Sequence, residues 1–340
     1  MVFHSSSEMK RYGILLLIMV FFACQSAVGQ ASKYFGVKQS VPEIPPKGKR
    51  MKVILVSDAA NEIDDVWAIA LAILYPERLD IVGFVGSNFD HTNTGEGPES
   101  IKESVAVINT ILEKAGMKGQ FPVYPGANPM QYEFYPSGSE GVDFIIQKAM
   151  ASSPENPLWI ICLGAPTDPA SAYLKQPEIK DRIVMFWHAR TEETWPYRAH
   201  NYNIKGDMHA SRMMFHAPFP LVLFDTGTQL YAGTLEESEK NVKPYGTLGE
   251  YLYDYRLKSD YFKSPTKGYF DMGDIAVLID PDLGEWEVTP CPTITPYMDY
   301  NFYKTNGEIL RCHGIYRDKA FQLLYSRLKM KYGGNNEYSK

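Results

Sequence analysis

Cysteine is scarce in this sequence, with four among 340 residues. None stands in the paired spacing that a zinc site or a disulfide framework needs. Positive charge is also short: 34 Lys and Arg face 40 Asp and Glu, a formal net charge of -6. Such a balance gives no basic field, which argues against a nucleic-acid backbone or an anionic membrane surface as the main partner. A small neutral or cationic ligand fits better. Internal repeats and low-complexity tracts are missing, and the most prominent N-terminal apolar run, Ile14 to Ala23, is too short to span a bilayer comfortably. With Lys10 and Arg11 before it and Ala27-Val28-Gly29 after it, residues 1–29 read as a cleavable export signal. A mature chain starting near Gln30 is then expected outside the cytoplasm, secreted or periplasmic. A lipid anchor on Cys24 competes with this, but Phe21 and Phe22 suit a lipoprotein cleavage box poorly. Cleavage would leave Cys162, Cys291 and Cys312; Cys162 sits in an apolar run and reads as core, while pairing of Cys291 with Cys312 depends on a distance that sequence leaves open.

What is present is core material, 45% of residues being hydrophobic. Residues 30–50 carry Pro42, Pro45 and Pro46 and read as an extended lead-in, and one domain is expected over 51–335. There, apolar runs at Val53 to Val56, Ile81 to Val85, Trp159 to Leu163, Ile183 to Phe186 and Leu221 to Phe224 alternate with helical patterns. The helices are expected near 64–74, 99–115, after Pro169 and 207–215. Parallel strands need crossover helices, so the rhythm predicts an α/β fold with a mainly parallel sheet flanked by helices, an open doubly wound core. Ligands in such sheets gather at the carboxyl ends of the strands. After Gly227 the pattern turns helical, at 251–257 and 275–279, and then irregular.

The segment Ser57-Asp58-Ala59-Ala60-Asn61-Glu62-Ile63-Asp64-Asp65 crowds four carboxylates behind an apolar strand and before a helix. Such groups repel unless solvated or bridged, and a hard cation with oxygen ligands, such as Ca²⁺, suits them far better than zinc. The plainer reading gives Asp64 and Asp65 to the helix N-terminus and Asp58 to a turn. Taken alone, the segment leaves both readings open.

Together with its spacing, this segment resembles the signature of the inosine-uridine preferring nucleoside hydrolase family, in a variant with a longer acidic loop. Other stretches resemble the family in the same order along the chain: Gly86-Ser87-Asn88, Phe121 to Ala127, Leu163 to Asp168, His200-Asn201-Tyr202-Asn203-Ile204, and Gly273-Asp274-Ile275-Ala276-Val277. The resemblance implies calcium held by Asp58, Asp65, Asp274 and the backbone carbonyl of Thr167, with Asp58 also the general base. It places Asp64, Asn88, Asn201, Asn203 and Asp274 on the sugar side. A gapless alignment would instead put Ala60 at the base's position. Three departures stand out: Asn201 where the family has glutamate, Asp168 where it has asparagine, and Gly273 where it has a histidine implicated in protonating the leaving group.

The implied reaction is hydrolysis of the N-glycosidic bond of a nucleoside or related riboside. It builds positive charge on the sugar, which carboxylates and an activated water can meet. His188, His200 and His91 are candidate proton donors to the leaving base, and Trp187 and Trp195 candidate stacking surfaces; for each, plain packing or surface exposure is the competing reading. Glu62 reads as a solvated loop carboxylate. Two other classes compete with the hydrolase: a non-catalytic calcium-dependent nucleoside- or sugar-binding protein, suggested by Asn201 and Gly273, and an aspartyl-nucleophile phosphatase, which would want an aspartate at Ala60. Sequence leaves the base, the sugar and any homo-oligomer open.

Overall fold

A computed structural model describes residues 39–89, 98–227, 233–303 and 305–335. Residues 1–29, read as an export signal, with Cys24, the first part of the lead-in and His91, lie outside the described residues. The apolar runs become strands β1 (Met51–Ser57), β2 (Leu79–Gly86), β3 (Val123–Pro125), β4 (Leu158–Cys162), β5 (Ile183–His188) and β6 (Leu221–Phe224). They pair in the order β3-β2-β1-β4-β5-β6, all parallel. Strands β4, β5 and β6 are buried at every position. A parallel sheet covered by helices on both faces demands this, and it explains runs that are continuously apolar rather than alternating.

Helices α1 (Asp64–Ile73), α2 (Pro98–Lys114), α3 (Glu140–Met150) and α4 (Thr167–Lys175) connect the first strands, followed by α5 (Tyr202–Gly206) and α6 (Met208–His216). The chain then adds α7 (Gly246–Arg256), α8 (Phe270–Ile279), β7 (Gly284–Pro290), β8 (Glu308–Ile315) and α9 (Arg317–Tyr332). Beyond Gly227 the irregular reading gives way to structure: β8 runs parallel to β6, and β7 closes the sheet as an antiparallel edge. Edge strand β7, Gly-Glu-Trp-Glu-Val-Thr-Pro, is partly exposed along its length and so lacks the apolar run that marks the inner strands.

Two helices differ from the rest. All residues of α1 and of α8 after Phe270 are buried, as expected of helices apolar on every side. They pack together, with the Trp67 and Tyr269 rings 4.3 Å apart. Because both start at the carboxyl edge of the sheet, the acidic residues of their first turns converge. Cys291 and Cys312 are free and buried, each thiol donating to a backbone carbonyl, so the pairing left open by the sequence is not made.

Candidate active site

The switch point of the sheet lies between β1 and β4, where the strand order reverses, and the carboxyl ends of these strands and β5 surround a pocket of about 340 Å³. That volume suits a small ligand. A larger groove of about 460 Å³ lies at the amino ends of the strands, lined by Pro42, Pro45, Pro154 and Pro157 among others. Size alone does not select the site; the chemistry is at the smaller pocket.

Asp58, Asp64, Asp65 and Asp271 line its floor. Asp58 follows β1 directly and accepts from the side-chain amide of Asn61 at 3.0 Å. Its carboxylate lies so close to the β4–α4 turn that a Cβ on Gly164 would come within 2.5 Å of Oδ1, so glycine is needed there. Asp65 accepts from the Ser57 hydroxyl at 2.5 Å. Asp64, Asp65 and Asp271 each offer an oxygen within 4.8 Å of the others, and a His188 ring nitrogen lies as close to oxygens of Asp271 and Asp274. His188 Nδ1 lies 2.7 Å from Asp274 Oδ2 and 3.2 Å from Asp271.

Burial pushes Asp58 and Asp64 up to about 7, with neighbouring carboxylates adding to it. The same causes hold Asp65 and Asp271 well above the carboxylate range. Asp274 is raised to about 6 by burial, against which His188 works. Burial lowers His188, but Asp274 outweighs it and the imidazole ends above its ordinary value. Two of these oxygens, Asp64 Oδ1 and Asp274 Oδ1, are buried and find no hydrogen-bond partner among the described residues. Orphaned carboxylate oxygens and mutual repulsion are what a hard, oxygen-seeking cation relieves, so the residues present fit one.

The expected site residues fall into three groups. Asp58, Asp64, Asp65, His188, Asn201 and Asn203 line the pocket. Asn203 spends its amide on the carbonyls of Leu163 (2.5 Å) and His188 (3.1 Å), bracing the ends of β4 and β5. Asn201 caps α5, accepting from the Asn203 amide at 2.8 Å. Asp274, Asn88 and Thr167 stand behind this lining: Asn88 donates to Thr167 Oγ1 (3.1 Å), which donates to Asp207 (2.8 Å), which caps α6. The remaining three are elsewhere. Trp187 is fully buried against Phe215, donating to Gly164 O; neighbouring strand residues face opposite ways, so with His188 at the pocket Trp187 faces the core. His200 is exposed and off the pocket, and Trp195 packs between Tyr300 and the Arg311 guanidinium.

Sequence reading missed Asp271, because the helix was expected from Ile275 whereas α8 begins at Phe270. Gly268 and Gly273 depress the helical signal there. The Asp-x-x-Asp spacing of Asp271 and Asp274 was the available clue, since it puts both on one helix face. Glu62 is likewise not a solvated carboxylate: it pairs with Lys267 and accepts from the Tyr261 hydroxyl at 3.1 Å at the pocket mouth.

Comparison with known proteins gives a consistent result. A family model described as inosine-uridine preferring nucleoside hydrolase matches residues 53–294. No curated protein matches the chain. Among solved structures, an inosine-uridine preferring nucleoside hydrolase from Bacillus anthracis superposes with a TM-score of 0.66 at 14% identity, covering 82% of this chain and 99% of the other. A plant nucleoside hydrolase gives 0.63 at 19% identity, covering 84% and 99%. A purine-preferring ribonucleoside hydrolase from Gardnerella vaginalis gives 0.62 at 18%, covering 82% and 98%.

Proposed function

Because the chain belongs to the inosine-uridine preferring nucleoside hydrolase family, and is therefore a hydrolase of nucleoside N-glycosidic bonds, we propose that it works with calcium at the pocket floor and Asp58 as general base. The observation that carries this reading is the convergence of Asp64, Asp65 and Asp271, with unpartnered oxygens on Asp64 and Asp274. Asp65, Asp271 and Asp274 would hold the ion, with Asp58 and the Thr167 carbonyl, as the resemblance implies, beside them. When bound, the ion supplies an electrophilic centre that orients sugar hydroxyls and acidifies water.

Asp58 takes a proton from the attacking water, a role its position at the pocket supports. Asp64 orients the sugar, and Asn203 holds the two strand ends that shape its seat. His188, fixed through Nδ1 by Asp274, has Nε2 left to protonate the leaving base, in place of the histidine that Gly273 lacks. An imidazole in that position supports turnover over a binding-only role. Incubation of the pure protein with a panel of ribosides, with and without a calcium chelator, tests the reading: free sugar should form only without chelator, and equal release in both arms rejects the calcium requirement. The leader-like residues 1–29 support export, to be checked by finding Gln30 at the mature N-terminus.

A further inference from the structure

The net charge of the chain favours a neutral or cationic ligand, yet one side chain of the pocket points the other way. Arg190, two residues beyond His188, lines the same cavity as Asp58 and Asp64. Its guanidinium lies over the Phe270 ring, 4.6 Å from the centroid. Among the described residues no carboxylate forms an ion pair with it, whereas the nearby Lys267 is taken up by Glu62.

Arg190 is also held at two places. Its carbonyl accepts from the Asn201 amide at 3.1 Å. Its guanidinium rests on Phe270, and Gly227 leaves beside them the space that a Cβ would take, 3.1 Å from Phe270 and 3.5 Å from Arg190 Cδ. Gly227 has φ +138°, a conformation that a side chain would strain. Backbone and ring thus hold a long, rotamer-rich side chain with its charge at the pocket, and Gly227 leaves it room. A guanidinium set in advance, whose donors meet no acceptor among the described residues, matches anionic oxygens in a bidentate manner.

Resting on the hydrolase reading, we propose that Arg190 is a specificity-determining residue that receives an anionic group of the substrate, so that the preferred riboside carries a phosphate or carboxylate. The anion has two possible sources, a phosphate on the sugar's 5′ oxygen or a carboxylate on the base. The competing role for Arg190 is a purely electrostatic offset of the floor carboxylates, which would affect charged and neutral ribosides alike.

The test compares uridine, uridine 5′-monophosphate and orotidine, whose base carries a carboxylate, on calcium-loaded wild type, Arg190→Gln and Arg190→Lys. One of the two anionic compounds should exceed uridine in kcat/KM by about tenfold or more, the size a charge-assisted bond supports. Which one does so locates the anion. In Arg190→Gln the ratio of anionic to neutral substrate should fall by about tenfold, and Arg190→Lys should restore part of it. A wild type that prefers uridine, or a preference that survives in Arg190→Gln, overturns the proposal while leaving the hydrolase reading intact. If no compound is hydrolysed, equilibrium binding of the same three to the same variants reads the same ratio without chemistry; an Arg190-dependent preference there upholds the inference although turnover fails, and its absence rejects it.

Discussion

The floor of the pocket and its mouth are built in contrasting ways. On the floor Asp58, Asp64, Asp65 and Asp271, with Asp274 just behind them, are buried and crowded together, in part without hydrogen-bond partners among the described residues. At the mouth the charges are matched or spread: Glu62 pairs with Lys267, Arg190 lies on Phe270, and the Tyr261 and Tyr202 rings are exposed. A floor of this kind costs stability until a cation neutralises it, which a protein maintains for chemistry rather than for folding. The mouth, free of that cost, is where substrates can be told apart.

The sharpest way to break the contrast is at the floor. Asp65→Ala should remove the tightly held divalent cation and lower kcat by about 10⁴-fold, since several kcal/mol of electrostatic stabilisation go with it. Metal analysis and riboside hydrolysis check both, and a variant that keeps its metal and its rate refutes the site. Asp58→Asn should lower kcat by about 10³-fold, within the range for loss of a general base, while the fold persists. An unchanged rate would move the base elsewhere in the acidic loop.

Between floor and mouth stands His188. His188→Ala should slow natural nucleosides by about 10²-fold yet barely change a p-nitrophenyl riboside, whose leaving group departs without a proton. His200→Ala, on an exposed side chain away from the pocket, should leave both rates alone. Equal losses on both substrates in His188→Ala would assign that residue to the metal site instead of the leaving group.

The smallest expected effect is on stability. In chelator-treated protein Asp58 and Asp64 have folded values raised from 3.8 to about 7. The folded state then binds more protons than the unfolded state between these values, so stability is present below about pH 4 and is lost as the pH rises through about 7. Melting of the cation-free protein should therefore occur at lower temperature at pH 7 than at pH 5, and added calcium should reverse the trend. A melting temperature that is flat across that range with chelator present contradicts the crowding of the floor.

How far the site could be read in advance varied with the distance between its parts. Asp58, Asp64 and Asp65 were legible because a strand end, a loop and a helix start are contiguous. Asp274 was found only through a resemblance, and Asp271 not at all, because glycines obscured the start of α8. His188 as a proton donor and Trp187 as a stacking surface cannot both reach the pocket, because neighbouring strand residues face opposite ways; which of them does so is not legible in the sequence.

The sequence by itself determined the alternation of buried strands and helices and the acidic turn after β1, since both follow from local apolar pattern and chain spacing. Tertiary structure decided what meets there. His188 and Asp274 are 86 residues apart in the chain yet hydrogen-bonded. Arg190 meets Phe270 across a similar span, and Lys267 reaches Glu62 from 205 residues away. These pairings depend on strand order and on the packing of α8 against α1, and such non-local relations leave no periodic trace in the residues that make them.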